Sequence, residues 1–201
     1  MIRAAGFCFT LALMVVGPAA GGLRAQQGPA AGASTIGVAP SGRATTKVNL
    51  TRPRVEGAPR PEPIAVSIDY GQPHARGREI AGNLVPDSTV WRTGANSATE
   101  LTTDVDIRIG DALVPKGKYT LFTLYAPEGS QLFINRQTAQ WGTEYHAEQD
   151  LARVDLRTRT LAEPVESFTI WLIPSTEGPA HGELRMAWGD LEFTTDWRVV
   201  Q

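Results

Sequence analysis

Trp91, Arg92 and Asn96 stand within six residues, with Gly94 between them. Gly94 permits backbone angles that a side chain forbids, so the chain is expected to bend sharply there. Asn96 tolerates left-handed angles and bonds to neighbouring backbone. Trp91 brings a large apolar ring with one N–H donor. Arg92 brings a planar fork of donors suited to carboxylates or phosphates. Such a bend can form a polar pocket at a sheet edge. It can equally use Arg92 and Asn96 to satisfy buried carbonyls and brace the turn. Asn135, at the end of a predicted strand, and Trp141 and Tyr145, in turn-rich stretches, extend the candidate ligand-binding set. His74 and Arg78 are secondary candidates. Trp91 and Trp141 have a competing structural role, plugging the open ends of a β-sandwich.

Other chemistry lacks local support. His74, His146 and His181 are too scattered for the close spacing of metal ligands, so no metal is expected. Ser88, Ser97 and Ser167 have no neighbouring base and no nucleophile elbow, although a triad can assemble from distant residues. Asp104 and Asp106 share a strand face about 7 Å apart, a spacing open to acid–base work but also expected of a solvated face. Gly117-Lys118 lacks the pattern of a phosphate loop. No cofactor is expected.

The elements that must position these groups read as strands. Leu101, Thr103, Val105, Ile107 and Ile109 alternate with Glu100, Thr102, Asp104, Asp106 and Arg108. Strict period two marks a strand with one face buried. Ile64 to Tyr70 alternates likewise. Lys118 to Tyr125 is apolar on both faces, as a central strand is. Gln131–Asn135, Ala152–Arg157, Glu166–Ile173, Leu184–Trp188 and Leu191–Val199 supply further strands, with Gly189-Asp190 predicted to be a tight hairpin between the last two. Helix is expected only around Arg78–Leu84 and Thr143–Leu151. Eight or nine short strands predict one all-β antiparallel sandwich, of jelly-roll or immunoglobulin/prealbumin type.

Spaced motifs then carry a likeness. Leu84-Val85-Pro86, Val90-Trp91-Arg92-Thr93-Gly94-Ala95-Asn96, Pro115-Lys116-Gly117-Lys118-Tyr119-Thr120-Leu121-Phe122-Thr123, Ile134-Asn135, Trp141-Gly142, Asp150 with Arg153-Val154, and Val165-Glu166-Ser167-Phe168 occur in order. Together they resemble the bacterial domain of unknown function 2911 family across residues 64 to 200. The resemblance implies a secreted or envelope protein with no established activity, so no catalytic residues carry over. Two departures stand out. Gly71-Gln72-Pro73 replaces a family Ser-Arg-Pro, and Pro86-Asp87-Ser88 replaces Pro-Tyr-Gly.

The N-terminus reads as an export signal, residues 1–25. Arg3 precedes the apolar run Phe7–Val16, and cleavage is expected after Ala25, or alternatively Ala20. Cys8 lies inside that run, so the mature chain would hold no thiol. Residues 26–63, rich in Gly, Pro and Ala, read as a disordered linker before a domain at 64–201. The linker carries five Lys/Arg against Glu56 and Glu62, and the domain 12 Lys/Arg against 19 Asp/Glu, a net −7. A basic tail of this kind can meet anionic surfaces or simply keep the chain soluble. The acidic domain argues against nucleic acid as a partner. No later stretch is long and apolar enough to span a bilayer. The expectation is therefore a secreted or periplasmic, non-enzymatic binder of a small molecule, glycan or envelope protein. A hydrolase built from dispersed residues such as His74, Asp104 or His146 is the alternative, and a purely structural module the third.

Overall fold

The computed structural model describes residues 36–200, so the export signal and the first part of the linker lie outside the described residues. Within the unit Val38–Gln201 the chain is nearly all antiparallel β-sheet. Nine of the ten strands run in the order β1 (Ser41–Leu50), β2 (Ile64–Pro73), β4 (Thr99–Thr103), β7 (Gly117–Leu124), β8 (Ser130–Asn135), β9 (Asp150–Pro174), β10 (His181–Val199), β5 (Ile107–Ile109), β6 (Ala112–Val114). The two-residue β3 (Val90–Trp91) pairs with β7. A single 3-10 turn, Ala147–Gln149, is the only helical piece among the described residues, and Arg78–Leu84 holds only turns and a bridge. The result is the expected all-β, sandwich-like fold, made from one continuous sheet.

Its continuity comes from β9 and β10. The first part of β9, Asp150–Leu156, pairs with β8, and the rest, from Arg157 to Pro174, pairs with β10. The Val199 N–H donates to the Ala180 carbonyl at 2.8 Å, so the two ends of β10 lie side by side. That return is made at Gly189 (φ 58°), between two register shifts. The expected Gly189-Asp190 hairpin is thus corrected: both arms of β10 pair with β9, and the glycine folds a bulged strand rather than joining two partners.

Leu101, Leu121, Leu132, Ile134, Phe168, Met186, Trp188 and Trp197 belong to one buried core. Strand β1 contributes too. Residues 41–50, read from composition as linker, pair with β2 over ten positions from Ser41↔Pro73 to Leu50↔Ile64. Val48 is buried, and Ala44 and Leu50 pack on the core. Composition averaged over 26–63 hid a real alternation of Ala44, Thr46, Val48 and Leu50 with Arg43, Thr45, Lys47 and Asn49. A second correction concerns Thr99–Ile109, which is two strands, not one. Asp104 accepts from the Ala65 N–H (2.9 Å) and Asp106 from the Lys116 N–H (2.8 Å). The two carboxylates brace the bend from β4 into β5.

From Phe168 to Leu172 the free edge of β9 is closed by side chains instead of another strand. Tyr70 Oη accepts from Ile170 N–H (3.2 Å), Thr46 Oγ1 accepts from Leu172 N–H (3.3 Å), and Gln72 Nε2 donates to Phe168 O (3.1 Å). Burial, opposed by its bonds to Ile170 and Gln72, raises the Tyr70 phenol above its ordinary pKa. Tyr70→Phe keeps the ring against Phe168 but orphans a buried N–H. Denaturant melts should show a loss of about 1–3 kcal/mol.

Candidate functional site

The Trp91 region is an excursion from one strand line. Trp91 pairs with Thr123 and Thr99 with Leu121, so β3 and β4 occupy the same edge of β7 and residues 92–98 loop out between them. Thr93, Gly94 and Asn96 all have positive φ (50°, 149° and 63°). For a β-branched residue this conformation is strained. Thr93 is held there because its buried hydroxyl bonds to that of Thr123 (2.7 Å) while Thr99 Oγ1 donates to its carbonyl (2.7 Å). The loop also rests on bare backbone: a Cβ at Gly71 would fall 1.9 Å from Ala95 O.

A second loop, residues 136–149, meets the first. Ser97 forms a bridge with Trp141, Ala98 N–H donates to Gln140 O (3.3 Å) and Gly142 N–H to Asn96 O (3.0 Å). Arg92 packs its stem on Gly142, where an added Cβ would come within 2.7 Å of Arg92 Cδ. Phe122 and Phe133 are buried outside the main core, on positions alternate to Leu121, Leu132 and Ile134. Tyr145 covers them, with ring centroids at 4.9 and 5.9 Å. Arg153 stacks on Phe133 at 4.5 Å. The Tyr145 hydroxyl donates to Asp150 Oδ2 (2.7 Å), which also accepts from Arg153 Nε (3.0 Å). Burial, with that bond to the Asp150 carboxylate, pushes the Tyr145 phenol up to about 12, so it stays neutral.

The structure therefore divides the candidate residues. Arg92, Asn96 and Trp141 meet where the two loops join. Trp141 is 49% exposed, and the Arg92 side chain makes no hydrogen bond or ion pair among the described residues. Asn96 Nδ2 donates to Ser41 O at 3.2 Å, tying the loop to β1. Tyr145 and Asn135 belong to the support of the second loop. Asn135 is fully buried; its Nδ2 donates to His146 O (2.8 Å) and Asp150 Oδ1 (2.9 Å), and its Oδ1 accepts from Gln137 N–H (3.0 Å). Trp91 turns into the main core, stacked on Trp188. His74 and Arg78 sit at the seam between the end of β2 and β9. There His74 Nδ1 lies 2.8 Å from Ser167 Oγ, and Arg78 donates to Ala75 O (3.0 Å) and His74 O (2.7 Å). His146 faces Glu148 at 3.2 Å. No cluster of three metal-ligating side chains forms among the described residues.

Arg43 is a neighbour that the sequence reading passed over. It pairs with Asp69 and donates to Ser97 O (3.3 Å) at the same loop junction. The alternation within 44–50 was the signal that would have included it.

An antiparallel all-β scaffold presenting a braced two-loop corner is the class these features define. The chain belongs to the family described as protein of unknown function, DUF2911, which it matches over residues 46–196. That span begins inside β1 and ends in β10. No curated protein and no solved structure matches the chain. No helix among the described residues is long and apolar enough to cross a membrane.

Proposed function

We propose that this chain is an exported, non-enzymatic binding module whose ligand contacts the corner formed by Arg92, Asn96 and Trp141. One observation carries the reading. A half-exposed indole and a guanidinium with no partner among the described residues sit on adjoining loops whose backbones are cross-bonded. An aromatic face beside a donor fork suits a saccharide or peptide that bears a carboxylate. The bracing lowers the cost of ordering the corner on binding. Export to the envelope rests on the N-terminal pattern of Arg3 and Phe7–Val16. Arg92→Ala and Trp141→Ala should each weaken binding about tenfold or more in a fluorescence titration against acidic oligosaccharides and peptides with free C-termini. Melting should move by no more than about 2 °C, since neither side chain is core. A wild-type chain blind to the whole panel, or variants that bind as it does, would refute the proposal.

A second reading, a hydrolase, draws on the His74–Ser167 contact. A neutral His74 Nδ1 can accept the Ser167 proton as the hydroxyl attacks an ester carbonyl. A fluorophosphonate reagent followed by peptide mass mapping decides: label on Ser167 that disappears in His74→Ala supports it. An unlabelled Ser167 in the wild-type chain rejects it.

A further inference from the structure

Among the described residues, no other strand connection is as rich in proline as that between β1 and β2. Thirteen residues, Thr51 to Pro63, separate the paired Leu50 and Ile64. Four are prolines, Pro53, Pro59, Pro61 and Pro63. Each fixes its own φ and biases the residue before it towards extended backbone. At the tip, Ala58 N–H donates to Val55 O (3.2 Å) and Gly57 takes φ 78°, the geometry of a turn with a left-handed third residue. The connection is thus two stiff limbs joined by a tight turn. A concavity of about 580 Å³ opens between them, with Arg52 and Arg54 on one limb and Arg60 on the other. Glu62 is the one acidic residue in its lining.

Five arginines elsewhere in the fold are already paired. Arg43, Arg153, Arg157, Arg159 and Arg185 each hold a carboxylate. Among the described residues Arg52, Arg54 and Arg60 hold none, although three converge on one space and all are exposed. Three like charges repel unless an anion joins them. The lining carries three positive charges and one negative, a net of +2. A phosphate monoester carries about −1.5 to −2 at neutral pH and has three acceptor oxygens for bidentate guanidinium forks. A single carboxylate matches neither the charge nor the number of donors. An extended polyanion would also have to approach the acidic remainder of the domain, at net −7 over residues 64–201. The volume exceeds that of a lone phosphate, so the ester has a body, and a polyol or sugar fits a lining without aromatic rings.

We propose that the β1–β2 connection is a clamp for a phosphate monoester borne on a polyol, with Arg52, Arg54 and Arg60 as its three anion-binding residues. The site is separate from the Arg92–Trp141 corner. Ser41, beside Asn96, and Leu50, where the clamp begins, are opposite ends of β1, about 30 Å apart at the usual strand rise.

Calorimetry on the full chain tests this with glucose 6-phosphate, its 6-sulfate counterpart, and vesicles containing phosphatidic acid or phosphatidylglycerol. The clamp predicts saturable binding of the phosphate ester and a preference over the monoanionic sulfate. Affinity should fall as pH drops below about 6, where the ester loses its second charge. Arg52→Ala, Arg54→Ala and Arg60→Ala should each weaken binding about tenfold or more, with melting unchanged because all three side chains are exposed. Binding of phosphatidic acid vesicles over phosphatidylglycerol would identify a lipid-borne ester, and binding of the sugar phosphate alone a soluble one; either supports the clamp. Equal affinity for sulfate and phosphate, a triple Arg→Ala variant that binds like the wild type, or no binding of any phosphate monoester overturns it.

Discussion

Trp91→Ala is expected to lower the stability of the folded unit by about 3–5 kcal/mol, the range for removing a large aromatic ring from a core. The indole is 7% exposed. It stacks on Trp188 with centroids 5.9 Å apart and planes 18° from parallel, and meets Phe168 edge-on at 5.1 Å. Such aromatic contacts add about 0.5–1.5 kcal/mol each beyond simple burial. For a unit of this size the melting temperature should fall by about 10 °C or more. Denaturant melts of Trp91→Ala, Trp188→Ala and the double variant should show a coupling of about 1 kcal/mol between the rings. A loss below about 1 kcal/mol for Trp91→Ala would show that the ring is not a core member. The contrast with Trp141→Ala is the useful part. Both tryptophans sit in candidate binding stretches, yet one should report on stability and the other on binding.

Gly71→Ala should be at least as damaging. Its Cβ would stand 1.9 Å from Ala95 O and 2.7 Å from Ala95 C, both main-chain atoms. Nothing at the end of a flexible side chain can swing away. The loop at Ala95 cannot retreat freely, because Thr93 is bonded to Thr123 and Thr99, and Asn96 to Ser41. Destabilisation of about 3 kcal/mol or more is expected, at the upper end for overpacking. Since the displaced loop carries Arg92 and Asn96, the surviving folded molecules should also lose any ligand of that corner. Gly42→Ala, on the neighbouring strand, is the control. Its nearest neighbour would be Ala39 Cβ at an ordinary 3.9 Å, so the change should stay within about 0.5 kcal/mol. Circular dichroism melts of the two variants side by side check both. A Gly71→Ala chain as stable as the wild type would mean that β2 and the loop do not touch as described.

The corner itself was partly legible beforehand. Trp91, Arg92, Gly94 and Asn96 mark in the sequence a bend with polar and aromatic groups, and positive φ at Thr93, Gly94 and Asn96 makes that bend. Which side chains it turns outward was not legible. Trp91 pairs with Thr123 in strand geometry and its ring joins the core, whereas Arg92, the next residue, lies against Gly142. Asn135 looked like a ligand contact because it is polar and ends a strand. It is instead consumed by three hydrogen bonds that hold the second loop down. Polar type alone does not distinguish a group awaiting a ligand from one already satisfied. The β1–β2 clamp was hidden by the same composition that suggested a linker. Prolines and arginines that look unable to fold are, here, a stiff connection between two paired strands.

Side-chain alternation was written in the chain. It made Leu101, Leu121, Ile134 and Trp197 interior residues wherever their strands came to lie, because period two sends successive side chains to opposite faces of any sheet. That was enough for an all-β fold. Alternation carries no record of which strand lies beside which. Only the folded chain decided that β1 joins β2, that Thr99–Ile109 divides between two parts of the sheet, and that β10 doubles back at Gly189. Those choices follow from long-range hydrogen-bond registers and from backbone contacts such as Gly71 against Ala95, which no local pattern encodes.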